Sequence, residues 1–349
     1  MKRYIGGEFE LSSLPRSVDA IELTQGIAGS WTVSGRAALC ALLAHLKKQG
    51  VTKILMPAYL CESIIQPVKA FGLAYDFYPV DEDLAAHPDP QKNSAVILIH
   101  YFGWLNPSTE ALRQSAEDSF VLVEDLTQAV FSSWKFIKGT QPLVFFSLRK
   151  FGPVPLGGWY SRSDRLPSVD LMFKVLFWKS LAARLYKYNY LKISPDIDQQ
   201  AEQTYLDVFN HVESSFDLSC TPYLLDAEAK SLIDGINWAY AAAARRKNWN
   251  ALSDLLPGNI LLPFHKMLPT DVVPLGYVVN CTERDKIRQN LQAAQIFCPI
   301  HWRLPEEVSA KRFPISYRLS NTLMTIPIDQ RYNPRDMEHI SKVIRQAAP

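Results

Sequence analysis

The sequence predicts an α/β protein with a mostly parallel central sheet flanked by helices, followed by a smaller α+β C-terminal domain. Two observations carry the sheet. Several short apolar runs, 94-SAVILIHYFG-103 and 119-SFVLVEDL-126 among them, are nearly continuous instead of alternating, as in strands covered on both faces. These runs alternate with segments of helical periodicity, an order that calls for helical crossovers between parallel strands. A third observation concerns the end of the chain, where 272-VVPLGYVVN-280, ERDKIRQNLQAAQI, LMTIPIDQ and DMEHISKVIRQ mix both element types. The expected division is an N-terminal segment over 1–30, a large α/β domain over 31–245 and a small domain over 246–349.

The elements follow in order. Ser34 caps a helix over SGRAALCALLAHLKKQG, in which Leu39, Leu42, Leu43 and Leu46 recur at helical spacing. Lys47 and Lys48 suit the negative end of its dipole, and Gly50 stops it. VTKILMPAYL reads as a strand, 62-ESIIQPVKAFG-72 as a helix with a proline near its middle, and LAYDFYPVD as a strand. After a polar loop over 85–93 come the strand 94–103, the helix PSTEALRQSAED and the strand 119–126. Another buried strand opens 143-LVFFSLRKFGPVPLGGWY-160 and leads into a Pro/Gly-rich turn. From 164 to about 250 the pattern is mainly helical and rich in aromatic residues.

With 349 residues, 48% of them apolar, the chain can bury a substantial core. Its 37 basic and 35 acidic side chains nearly cancel, which argues against nucleic acid and membrane as partners and for a small neutral or anionic substrate. Cys40, Cys61, Cys220, Cys281 and Cys298 are scattered, form no CxxC pair and read as reduced thiols. MKRYIGGEFEL opens with a basic pair that no apolar stretch follows, and no uncharged run reaches the length of a membrane span; a cytoplasmic protein is expected. The histidines lack metal-ligand spacing, and no GxSxG, P-loop or GxGxxG pattern stands where its chemistry would need it.

Ligands of parallel sheets gather at the carboxyl ends of the strands, where this chain has Pro57-Ala58-Tyr59, His100-Tyr101, Glu124-Asp125 and Ser147 to Lys150. Ser34, Gly35 and Arg36 open the first helix, whose free N–H groups and positive dipole end favour a phosphate. Asp125 ends a buried strand and so calls for a cationic partner. Lys150 supplies an amine in a turn where desolvation would depress its pKa and suit imine chemistry, and Ser147 can set a hydroxyl beside the same phosphate. A phosphate cup, a buried carboxylate and an imine-forming lysine are together what pyridoxal phosphate requires. Each also has an ordinary structural alternative: a snorkelling strand-end lysine, an aspartate cap, a helix start that binds only water. Tyr59 and His100 could be packed core, Cys61 a small buried hydrophobe and Arg149 a surface or interface ion-pair residue. His301-Trp302 and 312-RFPISYR-318 could line a substrate entrance or pack the terminal domain.

Set in order, SGRAAL, MPAYLCESIIQPVKAFG, VEDLTQA, SLRKFGPVPLGG, PIHW and TLMTIPIDQRY resemble the DegT/StrS family of sugar aminotransferases, within the fold-type-I group of pyridoxal-phosphate enzymes. The resemblance runs from about residue 30 to the end. It implies a homodimer with active sites near the subunit boundary, Lys150 as the lysine that holds the cofactor aldehyde, Asp125 as partner of the pyridine nitrogen, and Gln128 as a contact to the ring. Gly35 and Arg36 match the phosphate-binding backbone. Tyr59 and Cys61 are both candidates for ring contact, because the position four residues after Pro57, aromatic in the family, is Cys61 here. The family often has its phosphate serine five residues before the lysine; this chain has Phe145 there and Ser147 three before. Asn189 in KYNYLK is the counterpart considered for the family's GxNxR-like loop. The activity implied is amino transfer from a donor such as glutamate to a keto sugar, nucleotide-linked, in amino sugar and polysaccharide biosynthesis. Another pyridoxal-phosphate reaction, or a non-catalytic regulatory or assembly protein that binds the cofactor, are the alternatives.

Overall fold

The structure, a computed structural model, describes residues 4–14, 22–132, 142–193, 198–216, 220–256 and 261–347; Lys2 and Arg3 of the basic pair lie outside them. The first half of the chain forms β1 (Ile5–Gly6), β2 (Ser30–Thr32), α1 (Gly35–Lys48), β3 (Lys53–Pro57), α2 (Glu62–Ala70), β4 (Ala74–Tyr78), β5 (Ser94–Ile99), α3 (Thr109–Ser119), β6 (Val121–Asp125), β7 (Leu143–Ser147) and β8 (Gly158–Tyr160). The second half forms α4 (Leu171–Ile193), α5 (Gln199–Ser215), α6 (Ala227–Gly235), α7 (Trp238–Leu255), β9 (Leu262–Pro263), β10 (Tyr277–Asn280), α8 (Arg284–Ala293), β11 (Ile296–Phe297), α9 (Pro314–Thr322), β12 (Leu323–Ile326) and α10 (Pro334–Ala347).

The predicted mixed α/β architecture is present. Seven strands lie in the order β2-β8-β7-β6-β5-β3-β4. From β7 to β4 they run parallel, while β8 and β2 close one edge antiparallel. β4 pairs on one side of β3 and β5 on the other, so the strand order reverses there and a crevice opens beyond the carboxyl ends of the parallel strands. Ile54, Met56, Ile97, Leu98 and Val123 are fully buried because helices cover both faces of these strands.

Local chemistry sets the elements nearest that crevice. The Ser34 hydroxyl accepts from the Ala37 N–H at 3.1 Å, capping α1, and Gly50 takes φ +83° just past its end. β2 and β8 have three residues each, too few to show a period, and the sequence carries no signal for them. They pair where Gly158 lets the chain pass against the start of α1: a Cβ there would stand 2.1 Å from the Ser34 carbonyl oxygen.

At the end of β6 the alternation of a strand sends Glu124 and Asp125 to opposite faces. Glu124 turns toward α3, where Arg113 reaches both its oxygens at 2.9 Å and His100 Nε2 donates to it at 2.7 Å. His100 Nδ1 accepts the Asn106 N–H at 3.0 Å, which leaves the ring proton on Nε2. Burial alone would raise the Glu124 carboxyl, yet His100 and Arg113 outweigh it and hold it below its ordinary value. His100 is therefore committed to this buried network.

The terminal region contains the antiparallel sheet β12-β10-β9, and β11 pairs in parallel with β1. Ile5 from the N-terminal segment thus shares a core with Trp249, Leu291 and Ile296. α7 crosses position 245/246 as one continuous helix, with Ala241 packed in the core beneath the sheet and Trp249 and Leu252 in the terminal core. Among the described residues no helix is long and apolar enough to cross a membrane, and no His/Cys/Asp/Glu group could hold a metal ion.

Candidate active site

A cavity of about 330 Å³ lies at the carboxyl ends of β5, β6 and β7, against the start of α1. Ser34, Gly35, Arg36, Cys61, Asp125, Gln128, Ser147 and Lys150, eight of the residues singled out in the sequence, line it. They come from four separate stretches of chain, and the parallel sheet brings them to one end because every crossover returns the next strand in the same direction.

The floor is polar on one side and cationic on another. Asp125 is buried and accepts the Thr127 N–H at 2.8 Å. Burial pushes its pKa above the ordinary 3.8, against the opposing pull of that hydrogen bond, His100 and Lys150. A carboxyl so placed gains from a cation beside it. Gln128 Oε1 accepts the Phe102 N–H at 2.8 Å, which fixes the amide orientation and leaves buried Nε2 without a hydrogen-bond partner. That nitrogen is an orphaned donor in the cavity lining, and an acceptor oxygen on a ligand would satisfy it. Lys150 follows β7 in a single 3₁₀ turn and makes no hydrogen bond or ion pair with the described residues.

At the other end, the first turn of α1 meets Ser147. A Cβ on Gly35 would approach the Ser147 Cβ to 2.9 Å, so only glycine lets the helix start come this close to the strand end. Backbone N–H groups and a hydroxyl therefore face one spot, the arrangement that takes a phosphate. Beside it Glu213 of α5 bridges two arginines: Arg36 Nη2 lies 3.3 Å from Oε1, and Arg149 contacts Oε2. Burial would raise the Glu213 carboxyl, but Arg149 and then Arg36 hold it below its usual range. Arg149 also lies over the Phe216 ring, 4.5 Å from its centroid.

Tyr59 is the candidate that the structure does not bring into the cavity. Its ring is fully buried, packs against Tyr101 and Trp302, and donates its hydroxyl to the His301 carbonyl. Cys61, two residues on, is in the wall, since the chain has by then left β3 and reached the cap of α2. Trp302 supplies an aromatic to the same wall from the C-terminal region. Arg312 and Arg318 pair instead with Asp76 and Glu82 at the surface, so the segment 312–318 contributes no cation to the cavity. Asn189 stands on the exposed side of α4, its amide donating to the Leu185 carbonyl one turn back, and belongs to no loop. The reading of Arg149 as a surface ion-pair residue was half the story: the pair exists, but the side chain is in the cavity wall. Thr127, Glu213, Phe216 and Glu8 also line the cavity and were not anticipated. Thr127 was findable, because D-x-T offers an aspartate a backbone N–H two residues on. Glu213 and Glu8 arrive from distant segments and left no local sign.

The fold is shared with solved sugar aminotransferases. The sugar aminotransferase CalS13 from Micromonospora echinospora shares it at 16% identity and a TM-score of 0.63, over 96% of this chain and 100% of that one. A DegT DnrJ EryC1 StrS aminotransferase from Brucella abortus does so at 14% identity and a TM-score of 0.59, over 95% and 91%. DesI, solved in the presence of its TDP-sugar product, matches at 17% identity and a TM-score of 0.61, over 99% and 94%. At such identities the likeness is one of fold. No family model and no curated protein matches the sequence.

Proposed function

We propose that this chain is a pyridoxal-phosphate-dependent aminotransferase of the DegT/StrS type, which moves an amino group from a donor such as glutamate to a nucleotide-linked keto sugar. The observation that carries the proposal is the convergence of Lys150, Asp125 and the orphaned Gln128 amide in one cavity that ends at the first turn of α1. These groups fit the cofactor part by part. The α1 N–H groups and the Ser147 hydroxyl would hold its phosphate, Asp125 would face a protonated ring nitrogen, and Gln128 Nε2 would donate to a ring oxygen. When bound, the cofactor supplies an aldehyde and an electron-poor ring.

The residues do the rest. Lys150 would hold the cofactor's aldehyde through its amine and, once free, could take up and return a proton as base and acid. Asp125 would keep a ring nitrogen protonated beside it and so hold the ring electron-poor. Trp302, Cys61 and Phe216 exclude water from one side of the cavity. A nucleotide-linked keto sugar as acceptor is supported by the fold shared with DesI; the homodimer rests on the sequence resemblance, and a cytoplasmic setting on the scattered cysteines.

The test is a half-reaction. Purified protein loaded with pyridoxal phosphate should lose its visible absorbance on addition of glutamate and release one equivalent of 2-oxoglutarate per site. The aminated protein should then return to its starting spectrum with a nucleotide-linked keto sugar. Absorbance unchanged by any of a panel of amino donors would turn the reading toward a non-catalytic binding protein. Gly35→Ala offers a separate check on the phosphate end: crowding of Ser147 should weaken pyridoxal phosphate, but not pyridoxal, by roughly tenfold in an absorbance titration.

A further inference from the structure

A second cavity, of about 180 Å³, meets the first at Lys150, Arg149 and Glu8, which line both. The N-terminal segment, α7 and the chain on either side of β12 form the rest of its wall, so it lies within a single chain. At ~30 Å³ per water it has space for about six waters, enough for the carbon chain of an amino acid and too little for a nucleotide-linked sugar.

Cations outnumber carboxylates around it: Arg149, Lys150, Arg245 and Arg331 against Glu8 and Asp329. Most of these charges are already matched. Arg331 Nε lies 2.8 Å from Asp329 Oδ1, Arg149 contacts Glu213, and Glu8 takes Arg184 at 3.2 Å. Lys150 and Arg245 are left without an ion pair among the described residues. Arg245 is 1% exposed; its two terminal nitrogens donate to the Leu275 and Phe151 carbonyls at 2.7 and 3.4 Å, and its Nε has no partner. Burial pushes its pKa down to about 10, partly opposed by Asp329. A buried guanidinium matched only by carbonyls gains from an anion beside it.

His301 adds a neutral donor to the same wall. Its Nδ1 lies 2.9 Å from the hydroxyl of buried Thr325, which has no other side-chain hydrogen bond among the described residues. Both groups are satisfied when the hydroxyl donates to Nδ1, and the ring proton then sits on Nε2. Nε2 itself bonds to none of the described residues. Burial, and then Lys150, push the His301 pKa down to about 3, so the ring stays uncharged near neutral pH and keeps one N–H to offer.

We propose that this cavity seats a carboxylate of the amino donor, which accepts a hydrogen bond from His301 Nε2 and faces Arg245 while the donor's amine meets Lys150. The proposal rests on the aminotransferase reading and deepens it, because it makes the donor's negative charge the feature recognised. Arg245 and His301 line only this second cavity and are absent from the one assigned to the cofactor.

Calorimetric titration with glutarate, an acid that has no amine to transfer, tests it without turnover. The purified protein should bind glutarate and not the neutral diamide glutaramide. His301→Ala should weaken glutarate by roughly tenfold or more, the value of a hydrogen bond to a charged group. His301→Gln, which keeps an N–H donor, should recover most of that loss. Thr325→Val, close in size to the parent side chain, should weaken glutarate by roughly threefold by freeing the ring, and it decides the matter if His301→Ala fails to fold. In the half-reaction, His301→Ala should raise the glutamate concentration for half-maximal bleaching by the same factor and leave the return with keto sugar as in the parent. A parent that binds glutarate no better than glutaramide overturns the proposal, as does a folded His301→Ala that binds it as the parent does. Should the parent bleach with no donor at all, the aminotransferase reading falls, and the glutarate titration still decides what the cavity holds.

Discussion

Lys150→Ala should lower amine transfer by roughly a thousandfold or more, the combined loss of a covalent anchor and a proton carrier. The lysine's position gives the expectation its size. β7 ends at Ser147, one tight turn carries the chain to Lys150, and the amine stands in the cavity without a hydrogen bond or close ion pair to the described residues. The protein contains a rival amine. Lys187 of α4 is buried, and burial pushes its pKa down to about 8, partly opposed by Glu10. Geometry excludes it: Lys187 donates to the Glu8 carbonyl, lies 3.7 Å from the Glu10 carboxylate and lines no part of the cavity. Borohydride reduction followed by peptide mapping separates the two. A label on Lys150 in the parent and none in Lys150→Ala is the expected result, and a label on Lys187 would end the assignment.

Asp125→Asn should lower the transfer rate by roughly a hundredfold or more while pyridoxal phosphate still binds. The substitution keeps the size of the side chain and can keep the 2.8 Å bond from the Thr127 N–H, since an amide oxygen accepts as a carboxylate does. What it removes is charge. Burial already pushes the Asp125 pKa up, and the ionised form is favoured by hydrogen bonding from Thr127 and then by His100 and Lys150. A protonated ring nitrogen would add a further cation and draw the carboxyl's pKa back down. Asparagine cannot hold that proton on the nitrogen, and the ring then accepts charge poorly. Single-turnover rates with glutamate set beside a cofactor titration distinguish this from simple loss of binding: a variant that fails to bind would place Asp125 in the scaffold and not in the chemistry.

Much of the fold was legible because burial on both faces leaves strands such as SAVILI and LVFFS nearly free of polar residues, and because Ser34 and Gly50 mark the two ends of α1 in local chemistry alone. β2 and β8 were not legible. They exist through a close approach that Gly158 permits, and nothing in a three-residue run announces its partner. The pairing of β1 with β11 is further still from local pattern, since it joins residues near opposite ends of the chain.

The candidate site divides along the same line. Asp125, Ser147 and Lys150 could be picked out because each ends or follows an apolar strand, and the direction of parallel strands puts such residues on one edge whatever the details of packing, while Gln128 was marked only by the family resemblance. That much the sequence determined by itself: an α/β sheet and a set of polar groups at its carboxyl end. The tertiary structure alone decided that Cys61 and not Tyr59 stands in the wall, and that Glu213 links Arg36 to Arg149. The physical reason is range. Periodicity and capping act within a turn or two of chain, whereas rotation of a side chain into a cavity and the neighbours of a charge depend on segments that only folding brings together.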